Sequence, residues 1–305
     1  MKSKSLLNYM GALVFVTLIV MFALKLAPIV SEASELSIAG FETADLDTRK
    51  VSTYDVTVPE TTSQDLVLSG STGTEPATLS LDNGISTFSI IGSDGRERIT
   101  NTKAVPFRYI AYIRTNWPNG DQTIGTAWLC GPSAMMTSAH CVYDSARGGY
   151  AKSIRVWPAR NGSASPFDSY AVKSVHIARE WKTTGQQKYD FALMNLKTAI
   201  GNRLGYFGVR YKKGASAYDG KHIAIAGYPG EHQYQLWKMS GSVSESTASM
   251  LYYKVDTTGG QSGSPVYCRV PSEYYAIGIH GYGGTSQNAG VRITRKMFYW
   301  IKNKR

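Results

Sequence analysis

Short apolar runs separated by turn residues set the fold class of this 305-residue chain. Tyr109–Arg114, Thr123–Cys130, Ala134–Ser138, Ser153–Trp157, Phe191–Leu196, His222–Ala226 and Tyr274–Ile279 recur between Gly, Pro and Asn, and none exceeds eight residues. Runs this short are too brief for amphipathic helices and suit strands, so the body reads as an antiparallel, turn-rich, all-β domain. Only Ile293–Ile301 has helical spacing, with Ile293, Met297, Trp300 and Ile301 on one stripe and Lys296, Lys302 and Lys304 off it. A hydrophobic content of 43% against 18% charged residues excludes a disordered chain, and 30 Gly with 20 Tyr fit neither coiled coil nor collagen.

The net charge of +11 divides into three unlike segments. Residues 1–33 carry Lys2 and Lys4, a charge-free stretch from Ser5 to Leu24, and a small-x-small end at Ser31-Glu32-Ala33. That order reads as a secretory signal cut after Ala33, with contact to a membrane only during export and an extracellular product. The same apolar stretch is long enough to span a bilayer as a retained anchor. Residues 34–88 hold nine acidic and two basic side chains, whereas 89–305 hold twelve acidic and 28 basic ones. The acidic leader reads either as a solvated spacer or as a propeptide that neutralises the basic body until it is removed. A positive field of that size suits acidic substrates, and reads equally as a solvated surface. Lys212, Lys213, Lys302, Lys304 and Arg305 come with no nucleic-acid-binding motif, so no nucleic-acid partner is expected.

Three strings carry candidate chemistry. Thr257-Thr-Gly-Gly-Gln-Ser-Gly-Ser-Pro265 places Ser262 between Gly260 and Gly263, where glycines let backbone N–H groups approach an oxyanion closely. Met136-Thr-Ser-Ala-His-Cys141 puts His140 at the end of an apolar strand, and Lys188-Tyr-Asp-Phe-Ala-Leu-Met-Asn-Leu196 puts Asp190 just before another. A serine hydroxyl needs an imidazole to take its proton and a carboxylate to orient that imidazole, and all three parts are present.

The order His140, Asp190, Ser262 resembles that of chymotrypsin-like serine proteases, and the surrounding motifs are similar to those of the bacterial glutamyl endopeptidases. Ser89-Ile-Ile-Gly-Ser-Asp94 looks like their mature amino terminus, Ile225-Ala-Gly-Tyr-Pro-Gly230 like their mid-chain strand and turn, and Gly278-Ile-His-Gly-Tyr-Gly-Gly284 like their specificity-pocket strand. The resemblance runs from Ser89 to the C-terminus. It implies two packed antiparallel six-stranded β-barrels, about residues 89–200 and 201–305, with a C-terminal helix and the triad across the cleft. It also implies a secreted, monomeric serine endopeptidase made as a zymogen, which acts through an acyl-enzyme after Glu and less readily after Asp. His140 would be the base, Asp190 its orienting carboxylate, Ser262 the nucleophile, and the N–H groups of Gly260 and Ser262 the oxyanion hole.

In that family the glutamate side chain is received by a histidine and a hydroxyl, which match His280 and Thr257 here. Asp256 departs toward trypsin, which places an acid six residues before the nucleophile to select Lys or Arg, so a Lys/Arg-specific protease is the rival enzyme. An inactive protease-fold binding protein is the rival outside enzymes. Gln261 departs in another way, because the trypsin branch has an aspartate there that pairs with the freed amino terminus. If cleavage before Ser89 activates this chain, its new amine must act elsewhere, and the resemblance places it near the pocket. Phe88 precedes that junction, so a second protease is expected to make the cut.

Cys130, Cys141 and Cys268 are an odd number, so the fold is not expected to depend on disulfides. The wider family pairs the cysteine after the catalytic histidine with one fifteen residues before that histidine, a place held here by Gly125. His176, His222 and His232 lack metal-ligand spacing and read as structural or surface residues. No cofactor is required on this reading, and a structural calcium ion rests on the resemblance alone.

Overall fold

The computed structural model describes residues 35–60, 63–76 and 94–305. The expected signal segment, the Phe88–Ser89 junction and Ser89 itself lie outside the described residues.

The acidic leader contributes β1 (Phe41–Asp45), β2 (Val51–Tyr54) and β3 (Asp65–Leu68). The body supplies β4 (Glu97–Ile99), β5 (Ile110–Asn116), β6 (Gln122–Leu129), β7 (Ala134–Thr137), β8 (Tyr143–Asp144), β9 (Gly149–Tyr150), β10 (Ser153–Pro158), β11 (Tyr170–Ala178) and β12 (Ala192–Leu196). After these come β13 (Gly208–Lys212), β14 (His222–Gly227), β15 (Leu236–Ser246), β16 (Met250–Tyr253), β17 (Pro265–Val270), β18 (Glu273–Tyr282) and β19 (Asn288–Arg292).

Strands β10-β5-β6-β7-β12-β11 form one antiparallel ring, closed by β10 against β11, and β17-β14-β15-β16-β19-β18 form a second, closed by β17 against β18. These are the two six-stranded barrels expected. Closure removes most strand edges, though β10 covers only Tyr170 and Ala171 of β11 and leaves the rest of that edge open, and the inward residues of each ring make the core. β4 lies early in the chain yet pairs with β15 of the second barrel. The C-terminal helix, Arg295–Lys304, is capped by the Thr294 side chain and buries Met297, Phe298, Trp300 and Ile301.

The described part of the leader is no solvated spacer. β1 adds antiparallel to β11, β2 to β1, and β3 to β13, so the leader extends the sheets of both barrels. Phe41 stacks on Trp300 at 4.6 Å, and the Trp300 indole donates to Tyr54 at 2.9 Å. Its carboxylates meet the basic body in register: Glu42 pairs with Lys182, Asp47 with Lys197, Asp55 with Lys296, Asp65 with Arg210 and Glu75 with Arg203. Most of these pairs are part-exposed, so each adds little stability, but together they match the charge imbalance between leader and body. The fully buried Arg108 donates to the leader carbonyls of Thr72, Glu75 and Pro76 and to Leu204.

His176 is a buried structural residue as expected. Thr43 and Tyr54 of the leader lie 2.6 and 2.9 Å from its Nδ1, and Asn195 lies 2.7 Å from Nε2. Burial, aided by the charge of Lys304, holds its imidazole down at about 4, hence neutral. His222 is exposed, and His232 stacks on Trp237 at 4.0 Å.

All three cysteines are free and buried. A Cβ built on Gly125 would sit 3.0 Å from the Cys141 sulfur, which confirms in space what the spacing of the wider family suggests. Gly125→Cys is expected to form a 125–141 disulfide and to raise unfolding stability by about 3 kcal/mol, as for other short loops. Thiol titration and denaturant melts with and without reductant check this.

Candidate active site

Pairing of β7 with β12 builds the first half of the site. Thr137 lies opposite Ala192 and Met136 opposite Leu193 in an antiparallel register, which brings the residues just after β7 beside those just before β12. His140 lies in a short 3-10 turn after β7, and Asp190 ends another before β12. Fifty positions apart in sequence, they form a bidentate contact: Asp190 Oδ1 accepts the His140 N–H at 2.8 Å, and Oδ2 lies 2.6 Å from His140 Nδ1. Asp190 is fully buried, whereas the His140 side chain is 35% exposed. Burial disfavours the imidazolium, but the adjacent Cys141 sulfur and the Asp190 carboxylate outweigh it and hold the His140 pKa well above the usual histidine value.

A third donor to Asp190 was not legible in the sequence. The Tyr282 hydroxyl, at the end of β18, donates to Oδ2 at 2.7 Å. The only sequence signal was its place in the pocket-strand string, two residues after His280. Removing a donor from a carboxylate makes that carboxylate a stronger partner for imidazolium. Tyr282→Phe is therefore expected to move the acid limb of kcat/KM upward by about one pH unit, with the plateau reduced less than about tenfold. A pH–rate profile checks it.

The serine string forms the second half, between β16 and β17. β6 of the first barrel grips it: the Thr126 N–H donates to the Ser262 carbonyl at 2.9 Å, and the Thr126 hydroxyl donates to the Gly260 carbonyl at 3.0 Å. Two glycines make the approach possible. Gly263 has φ +89°, and a Cβ there would lie 2.1 Å from the Thr126 carbonyl; Gly260 has φ +96°, and a Cβ there would lie 2.6 Å from the Tyr228 carbonyl. Ser264 closes the turn through its N–H and hydroxyl, both on the Gln261 carbonyl. The Gly263 N–H donates to the His280 carbonyl at 2.7 Å, which ties the Ser262 turn to β18, and the Ser138 hydroxyl donates to that same carbonyl at 3.1 Å. Ser262 is half-buried.

At the pocket, the buried His280 has its Nδ1 2.7 Å from the Tyr253 hydroxyl. Burial, reinforced by the charge of His140, holds the His280 pKa down at about 3, which favours the neutral ring. The Thr257 hydroxyl accepts from Asn288 at 3.0 Å. Asp256 is 2% exposed and its Oδ2 accepts the Gly95 N–H at 3.1 Å, so this acid binds the segment a few residues after Ser89. No group of three or more His, Cys, Asp or Glu side chains among the described residues is placed to hold a metal ion.

Two closed antiparallel barrels, with a histidine–aspartate pair from one and a glycine-bounded serine turn from the other, define a chymotrypsin-like serine endopeptidase. Comparison with known proteins agrees. Residues 95–301 match the trypsin family, and the chain belongs to it. It is 39% identical over 227 residues to the glutamyl endopeptidase of Bacillus licheniformis, covering 70% of this chain and 68% of that protein. It is also 33% identical over 219 residues to a Bacillus subtilis protein named extracellular metalloprotease, covering 70% and 69%. A solved Glu endopeptidase in complex with MPD superposes with a TM-score of 0.63 at 30% identity, covering 70% of this chain and 98% of that one.

Proposed function

We propose that this protease is exported, is held as a precursor by its acidic leader, and after cleavage before Ser89 hydrolyses peptide bonds following glutamate. The Ser262 hydroxyl attacks the scissile carbonyl carbon while His140 takes its proton. Asp190 fixes the imidazole tautomer and stabilises the imidazolium. The N–H groups of Gly260 and Ser262 bind the oxyanion, and His140 returns the proton to the departing amine, leaving an acyl-enzyme. Water, activated by the same histidine, then releases the acid.

One observation carries the choice of glutamate: the pocket histidine is buried, with its Nδ1 on the Tyr253 hydroxyl, and that burial favours the neutral ring. In the tautomer in which Nδ1 accepts from Tyr253 the ring proton sits on Nε2, a donor suited to a carboxylate and ill-suited to an ammonium or guanidinium, and it is this tautomer that the proposal assigns. Thr257 adds a hydroxyl, and Ser89 brings the freed amine whose charge favours the same ligand. Asp256 does not restore trypsin-like selectivity, because its carboxylate is buried against the Gly95 N–H. The similarity to the Bacillus licheniformis glutamyl endopeptidase supports the specificity, and that to the Bacillus subtilis protein named extracellular metalloprotease supports the export.

The test is to incubate the processed protein with a peptide mixture, map the cuts, and treat it in parallel with a phosphonylating reagent. Cuts after Glu with an adduct on Ser262 are expected. Cuts after Lys or Arg would select the rival specificity, and no cuts with no adduct would select the inactive binding protein.

A further inference from the structure

Gln261, just before the nucleophile, occupies the position at which the trypsin branch receives its freed amino terminus, and its side chain is buried. Its Oε1 accepts two hydrogen bonds, from Arg96 Nη1 at 2.8 Å and from the Thr258 N–H at 2.9 Å. The Arg96 side chain is 2% exposed and pairs with Asp94 at 2.8 Å and Glu231 at 2.7 Å. Its Nη1 also reaches the Thr258 hydroxyl at 2.7 Å, and that hydroxyl donates to Glu231 at 2.6 Å. One guanidinium thus joins three segments: the strand entry after Ser89, the turn at Glu231, and the nucleophile turn at Thr258 and Gln261.

We propose that Arg96 is a positioning residue that holds the oxyanion-forming turn through Gln261, doing by hydrogen bond from inside the uncut chain what a freed amino terminus does by ion pair in the trypsin branch. The proposal rests on reading Ser262 as the nucleophile and the N–H groups of Gly260 and Ser262 as its oxyanion hole. Gln261 stands between those donors, so a rotation of its backbone turns one relative to the other. An amide oxygen cannot bind an ammonium as a carboxylate does, but it accepts readily from a guanidinium whose charge is already balanced by Asp94 and Glu231. The planar fork of Arg96 serves Gln261 and Thr258 with one nitrogen while its other nitrogens hold the two acids.

The two tasks of a freed amine are divided in this chain. Arg96 orders the turn at all times, and cleavage before Ser89 adds only the charge that receives the substrate side chain. In the uncut chain the His140 side chain is already 35% exposed and the turn already closed by Ser264. Ser262 of the full, uncut protein should therefore react with a small phosphonylating reagent within about tenfold of the processed rate, while glutamyl peptides are cut only after processing.

The kinetic test uses Arg96→Ala, Arg96→Lys and Gln261→Met in the processed protein. Arg96→Ala is expected to lower kcat and the phosphonylation rate together by about 10²-fold, the scale of losing one oxyanion donor, with KM for a glutamyl peptide changed little. Arg96→Lys should recover part of the loss. Gln261→Met, which removes the acceptor but keeps the volume, should reproduce the loss, and the double variant should be no worse than either single one. Additive losses, losses confined to KM, or an uncut chain whose Ser262 reacts far more slowly than the processed one would overturn the proposal. If Arg96→Ala fails to fold, Gln261→Met decides: a joint fall in kcat and phosphonylation supports the link, and unchanged kinetics overturn it. Failure of Ser262 to react in the processed wild type would instead sink the reading of the site on which the proposal stands.

Discussion

Asp190→Asn is expected to lower kcat for peptide hydrolysis by about 10⁴-fold while the protein stays folded. The reason lies in the bidentate contact between Asp190 and His140, through the backbone N–H at 2.8 Å and through Nδ1 at 2.6 Å. An amide in that place can still accept from the backbone N–H. It turns an N–H toward Nδ1, however, and so favours the tautomer that cannot take a proton from Ser262. The pH dependence supplies a second reading of the same substitution. His140 acts as base only when unprotonated, and its pKa is raised well above the usual histidine value with Asp190 as one cause. Activity of the wild type should therefore rise through an acid limb above about pH 6.5. Loss of the carboxylate should move the residual limb to lower pH, because the imidazolium has lost a negative partner. An unmoved limb would mean that His140 does not limit the rate.

The second large effect concerns selectivity. His280→Leu is expected to lower kcat/KM for a glutamyl peptide by about 10²-fold, the value of losing a hydrogen bond to a charged group in a desolvated site. A matched glutaminyl peptide should lose much less, so discrimination between the two collapses. The substitution also leaves the buried Tyr253 hydroxyl without its partner at Nδ1, so thermal unfolding must be followed alongside the kinetics. Equal losses for both peptides would show that His280 supports the pocket without recognising the carboxylate.

The parts of this site that were legible in the sequence are those carried by local pattern. Apolar runs fixed β7 and β12, and because His140 follows one and Asp190 precedes the other, a single antiparallel pairing brings them together. Glycines at 260 and 263 announced a turn that backbone must approach closely, and the structure shows what approaches: the Tyr228 and Thr126 carbonyls. What stayed hidden depends on contacts far apart in sequence. Tyr282 meets Asp190 across 92 positions, and Arg96 meets Gln261 across 165. The leader strands stayed hidden for a related reason. Phe41–Asp45, Val51–Tyr54 and Asp65–Leu68 are only four or five residues long, the first two broken up by polar residues, and they become strands because β11 and β13 offer edges and Lys182, Lys197 and Arg210 offer charges. Composition registered the acidic and basic halves but not that they interlock.

In the proposed function an ordered His-Asp-Ser site serves a pocket built for a carboxylate. The most direct measurement is kcat/KM of the processed protein on peptides identical except for Glu, Gln, Lys or Arg before the scissile bond. Fast cleavage of the glutamyl peptide, at least about 10²-fold above the glutaminyl one, and negligible cleavage of the lysyl and arginyl ones are expected. Preference for Lys or Arg, or equal rates for Glu and Gln, would contradict the proposed function.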